Sequence, residues 1–535
     1  MTSARRVTLL SAAIGLACSC SGPGGAADEP PKKPVNLLFI LTDQQRWDAL
    51  GCAGNPVLKT PNLDRLAREG ARFTNFYSSC PVCTPARTAI LTGHCIESNR
   101  VRTNADADTE DLPGLPSFDQ LLLRNGYKGE YHGKYHSPYA FAVDYTRPVR
   151  WLNGRQAPSG CKADMSESRA YETYLAAHVP DRAPRPGEML SRVGLYTPDP
   201  LDPKFGGKPG TRGAEAEAYG CLDVPPEHTL AAWTVQEGLE ALERLKDGPF
   251  TLTISIGPPH PPMVVPKPYY GMYPAATLEA PASLGDPRDN SPYRDAKGGK
   301  TDGYRNPDQV RQMISDYYGL VALDDDWIGK ILARLDELGL ADHTLVVFTS
   351  DHGEELGDHG LHGKAVFYEG AAHIPLLMRL PGVIPAGAVV KAPAAHIDLF
   401  PTILDYCGQP GSASEGRDLR PLIDGKDDGA DRIAVSEWAS PEVPGFMVFD
   451  GRWKYLCGRS ADAPSLDSLY DLKEDPLELK NLIGNNPERD KHRGEAERMK
   501  GRLVGWLAGI KSPLLESVKA RPVIGPAEPR PRKRK

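Results

Sequence analysis

Beyond one short N-terminal stretch, the sequence has no apolar run long enough to cross a bilayer as a helix, so the mature chain carries no transmembrane helix. It also lacks an excess of positive charge. With 63 Lys+Arg against 70 Asp+Glu the net charge is −7, which gives no electrostatic reason to expect a nucleic-acid partner. A dense cysteine framework is missing too. Ten cysteines are scattered over 535 residues, at spacings unlike those of a small disulfide scaffold, and their pairing cannot be deduced from sequence. No internal repeat is present.

What remains is ordinary globular material: 40 % hydrophobic and 25 % charged residues, in a chain long enough for a large core and more than one domain. The N-terminus reads as an export signal. Arg5 and Arg6 precede the apolar run VTLLSAAIGLAC, and a Gly/Ala/Pro-rich leader follows as far as residue 34. Ordinary signal cleavage is the leading expectation, which makes the protein periplasmic or extracellular. The paired arginines also fit twin-arginine export, and Cys18 or Cys20 is a candidate lipid-attachment site. The basic end PRPRKRK reads as a solvated tail within 511–535.

Strand and helix signals alternate from residue 35 to about 425. VNLLFILTD (35–43) is a continuous apolar run that ends in an acid, as a strand buried on both faces would. TPNLDRLAREG (60–70) follows as a helix, with Thr60 as N-cap, Pro61 in the first turn and Gly70 as stop. Further on, helical 228–245 leads into the strand FTLTISIG, and helical 308–338 into TLVVFTSDHG. IPLLMRL and the helix-like HIDLFPTILDYCG continue the pattern. This alternation predicts an α/β fold around a large, mainly parallel sheet sandwiched by helices. Periodicity fades across 139–225 and 258–306, and these long loops are assigned to the rim of a substrate pocket. After about 425 come short strand-like pieces and a polar helix near 487–509, which predict a smaller C-terminal α+β subdomain (426–510) with an antiparallel sheet.

Two of the sheet runs end in polar pairs, Asp43-Gln44 and Asp351-His352. Ligands collect at the carboxyl ends of strands in open α/β sheets, and two carboxylates with an amide oxygen offer hard ligands for Ca²⁺ or Mg²⁺. The His352 nitrogen is less typical for calcium, so ligand type alone leaves the metal open. The stretch SSCPVCTPARTAILTG (78–93) contains the pair Cys80 and Cys83. A redox or zinc role needs partners, yet there is no second C-x-x-C and no histidine pair of zinc spacing near the motif. Counting from Cys83 instead gives C-x-P-x-R, with Pro85 at +2 and Arg87 at +4.

That motif resembles the signature of the type I, formylglycine-dependent sulfatases of the alkaline phosphatase superfamily. TPNLDRLAREGARFTNFY, GYKGEYHGKYH, SDHGEELGDHGLHGK and LYDLKEDPLELKNL are similar to further elements of the family, so the likeness runs over about 35–510. It implies an alkaline phosphatase-like fold and a maturation enzyme that oxidises Cys83 to formylglycine. A hydrated aldehyde is a geminal diol: one hydroxyl attacks sulfur and the other remains to expel sulfate, which splits one hard step into two. Thr84 and Pro85 suit the N-cap and N1 of a helix whose positive end then faces residue 83.

By resemblance, Asp43, Gln44, Asp351, His352 and formylglycine 83 are ligands of one divalent metal, taken as Ca²⁺. Arg87 braces the diol and the ligands, Lys134 and Lys364 clamp sulfate, His136 takes the proton from the second hydroxyl, and His260 protonates the leaving alcohol. His359 and His362 are further candidates for substrate contact. Asp324, Asp325 and Asp326 are read as a helix surface with one structural acid. Gln44 stands where many members have a second Asp, and Asp351-His352 replaces an Asp-Asn pair. Both departures point toward the branch with iduronate, choline and phosphonate-monoester hydrolases. The expected activity is hydrolysis of a sulfate monoester of a sulfated carbohydrate, with a phosphonate or phosphate monoester hydrolase as the alternative. A catalytically silent sulfated-glycan binder would require an unoxidised Cys83, and the intact lysine and histidine set argues against it.

Overall fold

The computed structural model describes residues 34–109, 112–139, 167–182, 196–198, 219–294, 305–411, 413–440 and 442–524. The leader up to residue 33, the last residues of the expected tail (525–535), Cys161 and much of the expected rim between 139 and 225 lie outside these residues. The first part of that tail instead forms a helix, Leu515–Ala520, whose Val518 is buried.

Seven strands build the main sheet: β1 (Asn36–Asp43), β2 (Ala71–Phe73), β3 (Lys128–Gly133), β4 (Phe250–Pro259), β5 (Thr344–Ser350), β6 (Leu376–Arg379) and β7 (Ala388–Val390). Their spatial order is β7-β2-β6-β5-β1-β4-β3. β1 lies inside the sheet, parallel to both its neighbours β4 and β5. The sheet is not wholly parallel, because β6 runs against both β5 and β2.

Alternation along β1 explains its unbroken apolar run. Leu37, Phe39 and Leu41 enter the core on one face, while Leu38 and Ile40 enter the core on the other. Each such side chain, fully removed from water, contributes about 1.5–3 kcal/mol. The second face is covered by two long helices, Leu230–Leu245 and Pro307–Glu337. The first face is covered in part by Leu399–Tyr406. Both cores end where the strands end, so the polar pair after β1 emerges beside the one after β5.

The early helix forms over Pro61–Glu69 with Thr60 at its N-cap, as the sequence predicts. Thr60 caps indirectly: its hydroxyl accepts from the Gly51 amide at 2.8 Å and donates to Asp64 at 3.0 Å. The open amides of Asn62 and Leu63 go instead to the Asp325 carboxylate, at 3.1 and 2.8 Å. The triple acid therefore departs from a helix surface. Asp324 and Asp325 are buried, Asp324 without a hydrogen-bond partner, and burial pushes the Asp324 carboxyl well up. Asp326 accepts from Tyr269 at 2.5 Å.

The C-terminal strands β8 (Ala434–Glu437), β9 (Phe446–Phe449), β10 (Trp453–Cys457) and β11 (Ser468–Asp471) form an antiparallel sheet. The helix Arg493–Gly509 packs on it through Met499, Leu503 and Leu507. Lys454 on β10 is fully buried and pairs with Glu369 and Glu478, each at 2.8 Å. Glu369 in turn accepts from Tyr77 and bonds His373 at 2.8 Å, which ties β10 to the segment between β5 and β6. No helix among the described residues is long and apolar enough to cross a membrane.

Candidate active site

The helix carrying the cysteine motif runs over Cys83–Thr92 and is buried throughout. It starts earlier than Thr84-Pro85 suggested. Val82 is the N-cap, and its carbonyl accepts from the Ala86 amide at 3.0 Å. The Thr84 amide, which would otherwise lack a partner in the first turn, donates to Asn104 Oδ1 at 3.0 Å. Cys83 is thereby the first helical residue, with its side chain at the positive end of the helix dipole.

The two cysteines of the motif meet opposite surroundings. Cys80 packs with Val82 and Ile96, and burial together with Glu437 pushes its thiol well up. Cys83 is equally buried, but its Sγ lies 2.9 Å from Lys364 Nζ, 3.6 Å from Lys134 Nζ and 3.2 Å from His352 Nε2. Burial opposes ionisation there; Lys134, Lys364 and His352 overcome it and hold the thiol well below its usual range. The thiol sulfur stands where the oxygens of a formylglycine would lie.

Behind the sulfur, Arg87 braces two carboxylates at once. Its Nε donates to Asp351 at 2.8 Å and its Nη2 to Asp43 at 3.1 Å, while Nη1 reaches the Lys134 carbonyl at 2.7 Å and Ser255 Oγ at 2.9 Å. Asp43 also accepts from Lys134 Nζ. Burial and Cys83 raise the Asp43 pKa, yet Lys134, His260 and Arg87 bring it well below the ordinary carboxylate range. Gln44 sits at φ 71°, a left-handed conformation that turns the chain sharply as β1 ends. Its Oε1 accepts from Lys364 at 2.9 Å.

One ligand atom from each of Asp43, Cys83, Asp351 and His352 can be chosen so that all lie within 4.8 Å of one another, and all four residues are buried. This set fits a divalent cation. Two carboxylates converge out of water, and His352 Nδ1 bonds the Gly353 carbonyl at 2.9 Å, which turns Nε2 toward the cluster. Burial lowers the His352 pKa, and Asp351 together with Cys83 brings it above the ordinary imidazole range.

The remaining predicted residues line the more open side. His136, His260 and Lys364 are half-buried, whereas Asp43, Asp351 and His352 are inaccessible. His136 takes part in a hydrogen bond with Cys83, and burial and Lys134 lower its pKa. His260 is near enough to act on Asp43, and its Nδ1 lies 2.6 Å from the Pro261 carbonyl. His359 is not part of this face: it bonds Asp286 at 2.7 Å and stacks on Tyr368 with centroids 3.8 Å apart. His362 is half-buried in the same loop.

Ser255, Tyr131 and Glu354 were not read from the sequence. Tyr131 donates to the Lys134 carbonyl at 2.8 Å and Glu354 accepts from Gln44 Nε2. Ser255 lies near the end of a predicted strand and Glu354 beside a predicted ligand, so position was the available signal. Gly133, just before Lys134, has φ 92°, and a Cβ there would come 1.9 Å from the Ser255 carbonyl oxygen. Gly133→Ala is expected to cost at least about 2 kcal/mol in urea unfolding and to displace Lys134, with a loss of activity larger than the stability change explains.

Comparison with known proteins agrees with this geometry. Residues 35–409 match the Sulfatase family, and 357–503 match the family "N-sulphoglucosamine sulphohydrolase, C-terminal". The chain is 30% identical over 498 residues to the multifunctional alkaline phosphatase superfamily protein PehA of Trinickia caryophylli, covering 84% of this chain and 91% of the relative. It is 28% identical over 494 residues to an ulvan-active sulfatase of Formosa agariphila, covering 90% and 84%. The crystal structure of the phosphonate monoester hydrolase of Agrobacterium radiobacter superposes with a TM-score of 0.71 at 25% identity, covering 88% of this chain and 96% of that one. The chain belongs to the sulfatase family, as a type I member of the alkaline phosphatase superfamily, and it is a sulfuric ester hydrolase.

Proposed function

We propose that the protein is an exported enzyme that hydrolyses a sulfate monoester of a sulfated carbohydrate, with Cys83 matured to formylglycine by a formylglycine-generating enzyme. The observation that carries this reading is the setting of Cys83. It is a buried first helical residue with two lysines and His352 around its side chain. Asp43, Gln44, Asp351, His352 and residue 83 would hold one divalent cation, proposed to be Ca²⁺. When bound, that cation supplies Lewis-acid polarisation of the sulfate oxygens.

The chain's own groups account for the rest. Lys134 and Lys364 place two positive charges beside residue 83, where charge would grow on the transferring sulfate. Arg87 holds Asp43 and Asp351 in fixed positions, so little rearrangement is needed as the reaction proceeds. His136, kept neutral over a wider pH range by its lowered pKa, is suited to accept a proton from the residue-83 side chain. His260 stands on the more open side, where a leaving alcohol would depart, and would donate to it. The carbohydrate assignment is supported by the ulvan-active relative, and by an N-acetylglucosamine-6-O-sulfatase of Bacteroides thetaiotaomicron that is 27% identical over 522 residues.

A second reading, phosphonate or phosphate monoester hydrolysis with the same nucleophile, is favoured by Gln44 and His352 and by the likeness to the phosphonate monoester hydrolase. Two measurements test the proposal. The tryptic peptide spanning 73–87 should weigh about 18 Da less than its cysteine form, from replacement of H₂S by oxygen. Protein matured in this way should release sulfate from defined sulfated saccharides faster than phosphate or phosphonate from matched esters. Active protein with unmodified Cys83 would refute the nucleophile, and faster phosphonate release would select the second reading.

A further inference from the structure

Gln44 is restrained at all four of its polar groups. Its backbone N–H donates to Asp351 Oδ1 at 3.1 Å and its carbonyl accepts from Tyr317 at 2.7 Å. On the side chain, Oε1 accepts from Lys364 at 2.9 Å, and Nε2 donates to Glu354 Oε2. Glu354 is only 1 % exposed, and its other oxygen accepts from the amides of Gly363 and Leu356, the latter at 3.1 Å. The carboxylate is thus locked into the same loop that carries Lys364.

An amide has two ends of similar size and opposite chemistry, and only the oxygen end can ligate a cation. A carboxylate against Nε2 removes the ambiguity. Rotating the amide by half a turn would set Oε1 against Glu354, acceptor against acceptor, and aim NH₂ at the lysine and the cation site. We infer that Glu354 is a positioning residue for Gln44. It fixes the amide with its oxygen toward the site, and it supplies, one hydrogen bond further out, the negative charge that an acid at position 44 would have brought directly. The inference rests on the reading of Gln44 as a metal ligand. Glu354 touches neither cation nor substrate; its effect passes through the amide, as outer partners of metal ligands generally act.

The test is calorimetric titration of calcium into the full-length, chelator-treated protein. Glu354→Gln should weaken calcium binding about 10–100-fold. In a Gln44→Ala background the same substitution should change the calcium Kd less than about threefold, because the group it positions is gone. A merely structural role would weaken binding equally in both backgrounds and would overturn the inference. So would a Glu354→Gln protein whose calcium Kd matches wild type. Moving the charge onto the ligand, in the double variant Gln44→Glu/Glu354→Gln, should recover most of the lost affinity. If Glu354→Gln does not fold, Glu354→Asp, which withdraws the carboxylate by one methylene, goes through the same cycle with the same expectations. Wild-type protein that takes up no calcium would instead refute the calcium reading on which the inference stands, so the two failures are distinguishable.

Discussion

Cys83→Ala is expected to lower kcat/KM for sulfate ester hydrolysis by at least about 10⁴-fold, the scale on which removal of a covalent nucleophile usually acts. Every group around the sulfur would remain in place: Lys134, Lys364, His352 and the acids behind them. Substrate should therefore still bind, and a tight non-turnover complex is expected in an equilibrium binding measurement. Cys80→Ala is the matched control three residues away. Cys80 packs against Val82 and Ile96 and away from the lysines, so this variant should lose about 1–2 kcal/mol of stability and little activity. Initial-rate kinetics on the two variants, both purified from cells with the maturation enzyme, make the comparison. Residual turnover of Cys83→Ala within tenfold of wild type would remove residue 83 from the mechanism.

Arg87→Met should be the most destabilising single change in the site. Arg87 is 1 % exposed and pairs with two carboxylates that are themselves fully buried. Removing one partner of a buried ion pair typically costs about 3–5 kcal/mol, because the remaining charge is left uncompensated. In chelator, urea unfolding should show a loss of this size, and added calcium should recover part of it by drawing the two acids onto the cation. The pH dependence has a definite sign. Asp43 is held below the ordinary carboxylate range, by Lys134 first and then His260 and Arg87, against burial and Cys83. Its ionised form therefore stabilises the fold fully above about pH 4. That contribution is lost as pH falls through the lowered value. Without Arg87 the Asp43 pKa rises, so acid unfolding should begin at higher pH than in wild type. An unchanged acid limb would mean that Lys134 and His260 set the ionisation of Asp43 without Arg87.

Much of the architecture was legible because it depends on local physics. A run such as VNLLFILTD can satisfy its apolar residues only between two helical layers, and the structure sends Leu37 and Leu38 to opposite cores. Thr60, Pro61 and Gly70 bounded a helix that forms over Pro61–Glu69. The C-terminal strands and the polar helix after them also formed where their Gly turns and periodicity placed them. Less local features escaped. IPLLMRL reads as one more apolar strand, but its direction against β5 is set by where the chain returns, which no residue in it encodes.

The candidate site divides in the same way. The sequence by itself determined the fold class, the family, and the residue types at positions 43, 44, 83, 87, 134, 136, 260, 351, 352 and 364, because short motifs carry these with their spacing. The motif already singled out Cys83 from Cys80, and only the tertiary structure decided how differently the two thiols are surrounded. Cys80 and Cys83 differ by three positions in sequence; lysines from distant loops converge on one, and Glu437 and apolar walls enclose the other. It also turned His359 away to Asp286, buried both Asp324 and Asp325 where a helix surface with one structural acid was expected, and set Glu354 behind Gln44. The physical reason is common to all of these. The pKa of a thiol, the orientation of an amide and the burial of an acid depend on charges and donors brought within about 4 Å, and residues tens to hundreds of positions apart supply them only after the chain has folded.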